Sequence, residues 1–386
     1  MIVGVPTETY PGENRVALIP AQIAKLKDSV WEEVLVQAGA GTRAGFPDSE
    51  YEAKGATLVS DRLDLLRRSD LLLQVRGLGA NPQEGRGDLE HGKEAQIVIG
   101  FQEPLTAFDE LREYARRGVS ALAMETIPRI TRAQSMDALS SMATISGYKG
   151  VLIAADHLPR MFPMMMTAAG TITPARVFII GAGVAGLQAI ASARKLGAVV
   201  TAYDVRSVVK EQIESLGAKF LEIKVEAGES EDKGGYAKEL SEDFYRRQRE
   251  EMTKVLSESD VVMTTAAVPG KKAPILVTTE MVQAMPPGSV VVDLAAERGG
   301  NCEATTPGEK TMVGEVTVLG PVNLPSTVPY HASQMYSKNI STLLAHLVGE
   351  DGFNIDPEDE ITAGTLITHK GEIVHPMVKE IMEKTA

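Results

Sequence analysis

Residues 176–204 read RVFIIGAGVAGLQAIASARKLGAVVTAYD and follow the order strand, glycine turn, helix, strand. Gly181, Gly183 and Gly186 occupy the turn. The first glycine allows a tight bend, the second lets a pyrophosphate approach the backbone, and the third lets helix and strand pack closely. The free N–H groups at the start of the helix face the phosphates. The pattern therefore predicts a Rossmann-type site for a dinucleotide.

An acid closes the second strand of this unit, about 20 residues after the turn, where a carboxylate can accept hydrogen bonds from ribose hydroxyls. This acid is Asp204, and Val205 and Arg206 follow it. A 2′-phosphate there would meet like charge, so the site is expected to prefer NAD(H), although Arg206 could partly offset that repulsion. Val184 and Ala185, at the start of the helix, complete the predicted cofactor contacts of this unit. A glycine-rich helical turn without a nucleotide is the alternative interpretation.

Composition is that of an ordinary soluble protein, and 386 residues are enough for two domains. The net charge of −13 argues against binding to nucleic acid or anionic membranes through general electrostatics. The single cysteine, Cys302, cannot form an internal disulfide and is expected to be an inert small residue. The sequence shows no metal-ligand spacing of cysteines, no signal peptide and no transmembrane helix, so neither a metal site nor membrane insertion is predicted.

Short apolar runs alternate with helical patterns, which predicts parallel sheets and an α/β fold. We expect two doubly wound, Rossmann-like domains joined by long helices, with the second inserted into the first. The predicted domains are residues 1–136 with 325–386, and residues 137–324. Strands outside the fingerprint unit are predicted at residues 2–5, 33–37, 71–75, 96–99, 121–124, 220–223, 261–264, 290–294 and 316–319. Helices outside it are predicted at residues 21–27, 135–155 and 337–348.

Methionines cluster between the long helix and the fingerprint unit, at Met161, Met164, Met165 and Met166. A methionine in an apolar segment is more often a gap-filling core residue than part of a cofactor site. These four side chains are therefore predicted to be buried.

A second informative segment is residues 128–141, PRITRAQSMDALSS, between a strand and a long helix. Its polar side chains include Arg129, Arg132, Gln134, Asp137 and Ser140. An arginine fork can hold a carboxamide oxygen or a phosphate, and the other groups match a carboxamide or a ribose. The segment fits equally well the start of a helix that Ser135 or Asp137 caps. Residue types alone leave both interpretations open.

Together these segments resemble the NAD(H)-binding domain I of proton-translocating nicotinamide nucleotide transhydrogenase. The resemblance covers nearly the whole chain, from residue 3 to residue 376. It rests on the two segments above and on four further motifs, MFPMMMTAAGTITPARV (161–177), GGYAKE (234–239), PGKKAP (269–274) and VDLAAERGGNC (292–302). The opening VPTETYPGENRVALIP (5–20) fits both that domain and its relative alanine dehydrogenase.

The resemblance implies site residues in several regions of the chain. Those at the nicotinamide end of NADH, which orient its carboxamide and ribose, are Arg129, Gln134, Asp137 and Ser140. Gln134 would reach toward the second nucleotide, and Gly235 and Tyr236 would lie on a mobile loop that closes over bound nucleotide. Residues 226–235 are polar, as an exposed mobile loop requires. Ala266 and Ala267 end a strand where ligands bind in such folds, and could contact adenosine through backbone and methyl groups or only pack.

The resemblance also implies the partners. The acceptor is NADP(H) on an NADP(H)-binding partner domain, and a membrane-spanning subunit conducts protons. This chain looks like the separate subunit, a homodimer that is cytoplasmic and peripheral to the inner (plasma) membrane through its partners. Hydride transfer between two nicotinamides needs no general acid or base, which fits a chain without a convincing proton-transfer catalyst.

Alanine dehydrogenase is the alternative enzyme. In that pattern Arg15 would hold the substrate carboxylate, a lysine would stand at Arg76, a histidine at Gln102 and an aspartate at Glu297. Glutamine cannot exchange a proton near neutral pH, so the acid-base step of oxidative deamination would lose its agent. A non-catalytic NAD(H)-binding regulatory module is the third hypothesis.

Overall fold

The computed structural model describes residues 1–26, 30–223, 242–268, 270–349 and 352–385. The chain divides into two units. Unit 1 comprises Met1–Met142 and Pro325–Ala386, and unit 2 comprises Ala143–Leu324. Each unit contains a large, mostly parallel sheet, and the second unit is inserted into the first along the chain. The predicted fold class is confirmed.

The N-terminal segment of unit 1 alternates strands with helices. Its strands are β1 (Ile2–Val5), β2 (Glu33–Gln37), β3 (Thr57–Val59), β4 (Leu71–Arg76), β5 (Ile97–Phe101) and β6 (Ser120–Ala123). Its helices are α1 (Pro20–Leu26), α2 (Asp48–Ala53), α3 (Arg62–Arg68), α4 (Pro82–His91) and α5 (Phe108–Arg116). A 3₁₀ segment, Thr131–Met136, then precedes the long helix α6 (Ala138–His157), which leads into unit 2.

Unit 2 continues the alternation. Its strands are β7 (Met165–Thr167), β8 (Gly170–Ile172), β9 (Arg176–Ile180), β10 (Val199–Tyr203), β11 (Lys219–Phe220), β12 (Val261–Thr264), β13 (Val290–Asp293), β14 (Lys310–Val313) and β15 (Val316–Leu319). Its further helices are α7 (Val184–Lys195), α8 (Lys210–Ser215), α9 (Glu242–Leu256) and α10 (Thr279–Gln283).

The chain then returns to unit 1 through a 3₁₀ segment, Leu324–Thr327. The helices of this C-terminal segment are α11 (Pro329–His346), α12 (Glu360–Thr365) and α13 (Pro376–Thr385). Its strands are β16 (Val348–Gly349), β17 (Gly352–Phe353), β18 (Leu366–His369) and β19 (Glu372–Ile373).

Both large sheets are doubly wound. The strand order is β19-β18-β6-β5-β4-β1-β2-β3 in unit 1 and β11-β10-β9-β12-β13-β15-β14 in unit 2. β1 lies parallel between β2 and β4, and β9 lies parallel between β10 and β12. Strand order reverses beside β1 and β9, so the ligand crevice expected of such folds opens at the carboxyl ends of β1 and β4 in one sheet and of β9 and β12 in the other.

The central strands are buried on both faces, as helices covering a parallel sheet require. β9 illustrates this: Val177 and Ile179 pack into one core cluster of unit 2, and Phe178 and Ile180 pack into another. Successive side chains of a strand point to opposite faces, so the two clusters lie on opposite sides of the sheet. The continuous apolar run VFII is the sequence signature of such a strand.

Several predicted elements have the observed bounds, namely those at residues 2–5, 33–37, 199–203, 261–264 and 316–319. The helix predicted at 337–348 begins earlier, at Pro329, where a proline in the first helical turn loses no hydrogen bond. The long helix begins at Ala138 and not at 135, because Thr131–Met136 forms the 3₁₀ segment. The strand predicted at 220–223 is Lys219–Phe220.

The prediction that the four methionines are core residues is wrong. Met164 and Met166 are 59% and 79% exposed, and Met161 and Met165 are exposed as well. Met165 and Met166 belong to the hairpin β7–β8, whose residues are exposed throughout both strands. A two-stranded ribbon does not bury a face of its own, so an apolar side chain in it has no interior to fill.

Gly147 in α6 permits a close approach to α7 within unit 2. A Cβ at Gly147 would lie 2.1 Å from the backbone oxygen of Ala185, whereas a Cβ at the exposed Gly87 in α4 would meet no atom within 4 Å. Gly147→Ala is expected to lower the free energy of unfolding by about 1–3 kcal/mol because backbone has to move. Gly87→Ala should raise it by about 0.5–1 kcal/mol. Urea unfolding followed by circular dichroism measures both, and equal stability of the two variants would contradict the close approach.

Candidate dinucleotide-binding site

The glycine turn joins β9 to α7 at the carboxyl edge of the unit 2 sheet. Gly181 has a φ of +98°, which favours glycine, and a Cβ at Gly186 would lie 1.9 Å from the carbonyl oxygen of Gly181. Gly183 is the N-cap residue of α7, has no side-chain cap, and would place a Cβ in open space. The backbone thus requires the first and third glycines, and the second leaves room above the helix N-terminus. This arrangement fits a phosphate group, which the N–H groups of the first turn can bind.

Thr265 connects the turn to the neighbouring strand β12. Its N–H donates to the carbonyl of Ile180 at 2.9 Å, and its hydroxyl donates to the carbonyl of Gly181 at 3.0 Å. The sequence analysis missed this residue. Its position directly after a strand that neighbours the fingerprint strand is the signal that could have identified it.

Asp204 ends β10 and is only 8% exposed. Its Oδ2 accepts the N–H of Ala182 at 2.7 Å, so the carboxylate supports the glycine turn from the side of β10. Arg206 donates to the same carboxylate three times, from its backbone N–H and Nε to Oδ1 and from Nη2 to Oδ2, each at 2.9 Å. Four donors therefore occupy the two oxygens, which together offer about four acceptor sites. A ribose hydroxyl can bind Asp204 only if Arg206 gives up some of its hydrogen bonding.

The remaining predicted cofactor contacts of unit 2 lie along the same carboxyl edge. Val184 and Ala185 form the first turn of α7, Val205 follows Asp204, and Ala266 and Ala267 follow β12. The N–H of Ala266 donates to Asn301, so this group is already engaged within the protein. Gly235 and Tyr236, with the loop predicted at 226–235, lie outside the described residues.

The side chains predicted at the nicotinamide end lie in unit 1, on and beside the 3₁₀ segment Thr131–Met136. Asp137 accepts the N–H of Ser140 at 2.8 Å on Oδ1 and the hydroxyl of Ser140 at 2.5 Å on Oδ2. Asp137 therefore caps α6, as the capping interpretation of this segment predicted. Arg129 and Gln134 are exposed.

Two residues that the sequence analysis did not identify hold this segment. Asn339 in α11 donates to the carbonyl of Ser135 at 2.9 Å, and Arg132 pairs with Asp359 at 3.0 Å. Asp359 also accepts His346 Nε2 at 2.7 Å and caps α12. Burial opposes ionisation of Asp359, but the backbone N–H groups of α12, then His346 and Arg132, hold its pKa well below the usual range. An aspartate directly before a helical pattern is the capping signal that could have revealed Asp359.

A cluster of buried charges occupies the carboxyl ends of β1 and β4 in unit 1. Glu13 is fully buried and accepts Arg15 Nε at 2.7 Å, Arg15 Nη2 at 2.6 Å and Arg76 Nε at 3.1 Å. Burial alone would raise the pKa of Glu13, but the hydrogen bonds and charge of Arg15, and then the charge of Arg76, lower it to about 2. Arg15 is 3% exposed, so its charge is balanced inside the protein.

Gln102, the position at which the alanine dehydrogenase pattern needs a histidine, lies at the end of β5 with no exposed surface. Its Oε1 is 3.3 Å from the hydroxyl of Tyr114. The backbone N–H groups of Gln102 and Glu103 donate to Glu125 Oε1 at 2.7 and 2.6 Å. Burial raises the pKa of Glu125 to about 8, and the charge of Glu103 adds to this. Gln102 itself does not titrate and cannot act as an acid or a base.

No group of three or more histidine, cysteine, aspartate or glutamate side chains suited to a metal ion occurs within the described ranges. Cys302 is buried, which raises the pKa of its thiol to about 11, so it is not a reactive thiolate near neutral pH. Among the helices that the structure describes, none has the length and apolar character needed to cross a bilayer.

The fold and the glycine turn define a doubly wound α/β protein with one Rossmann-type site. Residues 4–146 match "Alanine dehydrogenase/PNT, N-terminal domain" and residues 150–376 match "Alanine dehydrogenase/PNT, C-terminal domain". The chain belongs to this alanine dehydrogenase/PNT family.

Within the family, this chain is more similar to transhydrogenases. It is 44% identical over 379 residues to the first portion of NAD(P) transhydrogenase subunit alpha of Rhodospirillum rubrum, covering 97% of this chain and 98% of that protein. A crystal structure of transhydrogenase from Sinorhizobium meliloti matches with a TM-score of 0.86 and 41% identity, covering 97% of this chain and all of that one. Alanine dehydrogenase of Mycobacterium tuberculosis is 30% identical over 385 residues, covering 98% of this chain and 96% of that protein. The resemblance to transhydrogenase is confirmed.

Arg206 is expected to weaken the discrimination between NADH and NADPH. Arg206→Ala would leave the full negative charge of Asp204 facing a 2′-phosphate, so the ratio of the NADPH Kd to the NADH Kd should rise by about tenfold, or roughly 1.4 kcal/mol. Fluorescence titration with each nucleotide measures this ratio. Arg176→Ala removes the same charge from an exposed position in unit 2 and should leave the ratio unchanged. A ratio that is equal in all three proteins would contradict a role for Arg206.

Glu125 is expected to make stability fall as pH rises. Its raised pKa means that the folded protein retains a proton between about pH 4.5 and about pH 8 that the unfolded chain releases. Glu125→Gln should remove this contribution to the pH dependence, worth up to about 4 kcal/mol across the window. Urea unfolding at pH 5 and pH 8 measures it, with Glu50→Gln as an exposed control. The same change in stability for wild type and Glu125→Gln would show that Glu125 does not hold the proton.

Proposed function

We propose that this chain is the NAD(H)-binding subunit of a proton-translocating transhydrogenase, which passes hydride between NADH and NADP⁺ held on a partner. The observation that favours this activity over alanine deamination is Gln102. A buried glutamine stands where deamination needs a group that exchanges protons. Greater similarity to transhydrogenases than to alanine dehydrogenases points the same way.

The carboxyl edge of unit 2 supports NAD(H) as the cofactor. The open, uncapped N-terminus of α7 offers N–H groups for the pyrophosphate, and Gly183 adds no side chain to obstruct it. Asp204 would bind the adenine ribose, with Arg206 and Val205 beside it. Val184 and Ala185 would line the pyrophosphate, and Ala266 and Ala267 the adenosine.

Arg129, Gln134, Asp137 and Ser140 would act at the nicotinamide end. NADH, when bound, supplies the hydride. The task of this chain is to orient the ring and to exclude water, which requires positioned hydrogen-bond donors and no proton transfer. Arg129 and Gln134 are exposed and lie outside the core, which suits side chains that meet a nucleotide at a protein surface. Asp137 and Ser140 hold each other at the start of α6, which would fix them for contact with a ribose.

The partners follow from the same proposal. NADP(H) would bind to a partner subunit, and a membrane-spanning subunit would carry the protons. The Rhodospirillum rubrum relative is named as one portion of an alpha subunit, which supports an assembly of several subunits. The chain itself would form a homodimer, cytoplasmic and peripheral to the inner (plasma) membrane, and would enter no bilayer directly.

NADH oxidation tests the proposal. The purified chain should bind NADH, as fluorescence shows, and should not oxidise it when pyruvate and ammonium are supplied. Addition of an NADP(H)-binding domain of the family should start hydride transfer to NADP⁺. Rapid oxidation with pyruvate and ammonium would instead identify an alanine dehydrogenase. NADH binding without transfer in the presence of the partner domain would identify a regulatory module.

Gln134→Asn tests the assignment at the nicotinamide end. Shortening this exposed side chain is expected to lower the rate of hydride transfer by about 10–100-fold, because transfer depends steeply on the alignment of the reacting groups. The NADH Kd should change little. Gln83→Asn, at an exposed position in α4, is the matched control. Wild-type transfer rates in Gln134→Asn would remove Gln134 from the site.

A further inference from the structure

Asn301 has no exposed surface and lies in the loop after β13, at the carboxyl edge of the unit 2 sheet. Its Oδ1 accepts the N–H of Ala266 at 3.0 Å, and its Nδ2 donates to the carbonyl oxygens of Ala266 and Pro274, each at 2.8 Å. The side-chain amide therefore pairs with both backbone groups of Ala266, as a neighbouring strand would. These partners also fix the orientation of the amide, because the opposite orientation would place like groups against each other.

The backbone of Asn301 is held as firmly as its side chain. Its N–H donates to Asp293 Oδ2 at 2.7 Å, and its carbonyl accepts the N–H groups of Leu276 and Val277. Asp293 is itself fully buried and also accepts the hydroxyls of Thr264 and Thr305, at 2.9 and 2.8 Å. Asn301 is thus a fixed point.

The segment that follows β12 is consequently fastened on two sides. Thr265 bonds to the glycine turn through Ile180 and Gly181, and Ala266 bonds to Asn301. Ala267, the next residue, is exposed. The position of this surface relative to the glycine turn depends on Asn301, although Asn301 is too deeply buried to touch a ligand.

We propose that Asn301 is a positioning residue for the adenosine half of the dinucleotide. It sets the height of Ala266 and Ala267, against which adenosine packs, and so controls affinity at one end of the cofactor only. The inference rests on the proposed function, because it requires a dinucleotide at the glycine turn. It goes further in assigning to a residue outside the binding surface the geometry of that surface.

Asn301→Asp is the most direct test. An aspartate keeps the size of the side chain and the acceptor for the Ala266 N–H, but it points a carboxylate at the carbonyl oxygens of Ala266 and Pro274. Unpaired acceptors repel, so the segment should shift. We expect the Kd values for NADH and for AMP to rise together by about tenfold. The Kd for reduced nicotinamide mononucleotide should stay unchanged.

Two controls separate positioning from general loss of stability. Thr305→Val removes one hydroxyl from Asp293 in the same loop without touching Ala266, and Asn81→Asp makes the same substitution at a buried asparagine of unit 1. Neither should alter the AMP Kd. With the partner domain present, Asn301→Asp should raise the KM for NADH and leave kcat unchanged.

Equal losses for all three ligands, or a lower melting temperature with unchanged affinity, would overturn the proposal. If Asn301→Asp does not fold, amide hydrogen exchange of the wild-type protein decides, because the N–H of Ala266 must then exchange far more slowly than that of Ala267. Comparable exchange of the two amides would overturn the proposal as well. Failure of the wild-type chain to bind NADH or AMP would refute the proposed function first, and is measured before any variant.

Discussion

The carboxyl edge of unit 2 depends on one close approach of backbone to backbone. A Cβ at Gly186 would lie 1.9 Å from the carbonyl oxygen of Gly181, so α7 can start where it does only without a side chain there. The turn is then supported from both neighbouring strands, by Asp204 from β10 and by Thr265 from β12. This support leaves the N-terminus of α7 open while its surroundings are fixed, which is the combination that an anion site requires.

The two units share a strand order and differ in what fills the crevice that this order creates. In unit 2 the crevice ends in the glycine turn. In unit 1 the corresponding ends of β1 and β4 carry Glu13 with Arg15 and Arg76, three charges that balance largely among themselves. Strand order therefore locates a crevice but does not determine its ligand, which depends on the side chains placed there. One glycine turn in the chain agrees with a protein that receives its second nucleotide from elsewhere.

Local patterns were sufficient to predict the fold class and the central strands. β9 could be located because a run buried on both faces and a glycine turn are features of neighbouring residues. The exposed methionines could not be predicted, because their surroundings depend on whether the hairpin β7–β8 is covered. Pairing of Asn301 with Ala266 joins residues 35 positions apart, and no spacing within a single element announces it. Similarly, the sequence suggested the charge of Arg206 but not the three hydrogen bonds that engage Asp204.

A reaction that transfers only hydride places unusual demands on a protein. Because no proton moves, the protein contributes by fixing distances, and a displacement of about 1 Å can cost a hundredfold in rate. Residues that hold backbone in place then matter as much as residues that touch the nucleotide. Asn301 beneath Ala266, Thr265 at the glycine turn and Asp359 beside the segment of Gln134 all have this character. The polar groups of such a protein are therefore expected to act mainly on the protein itself, and a search limited to titratable groups would overlook them.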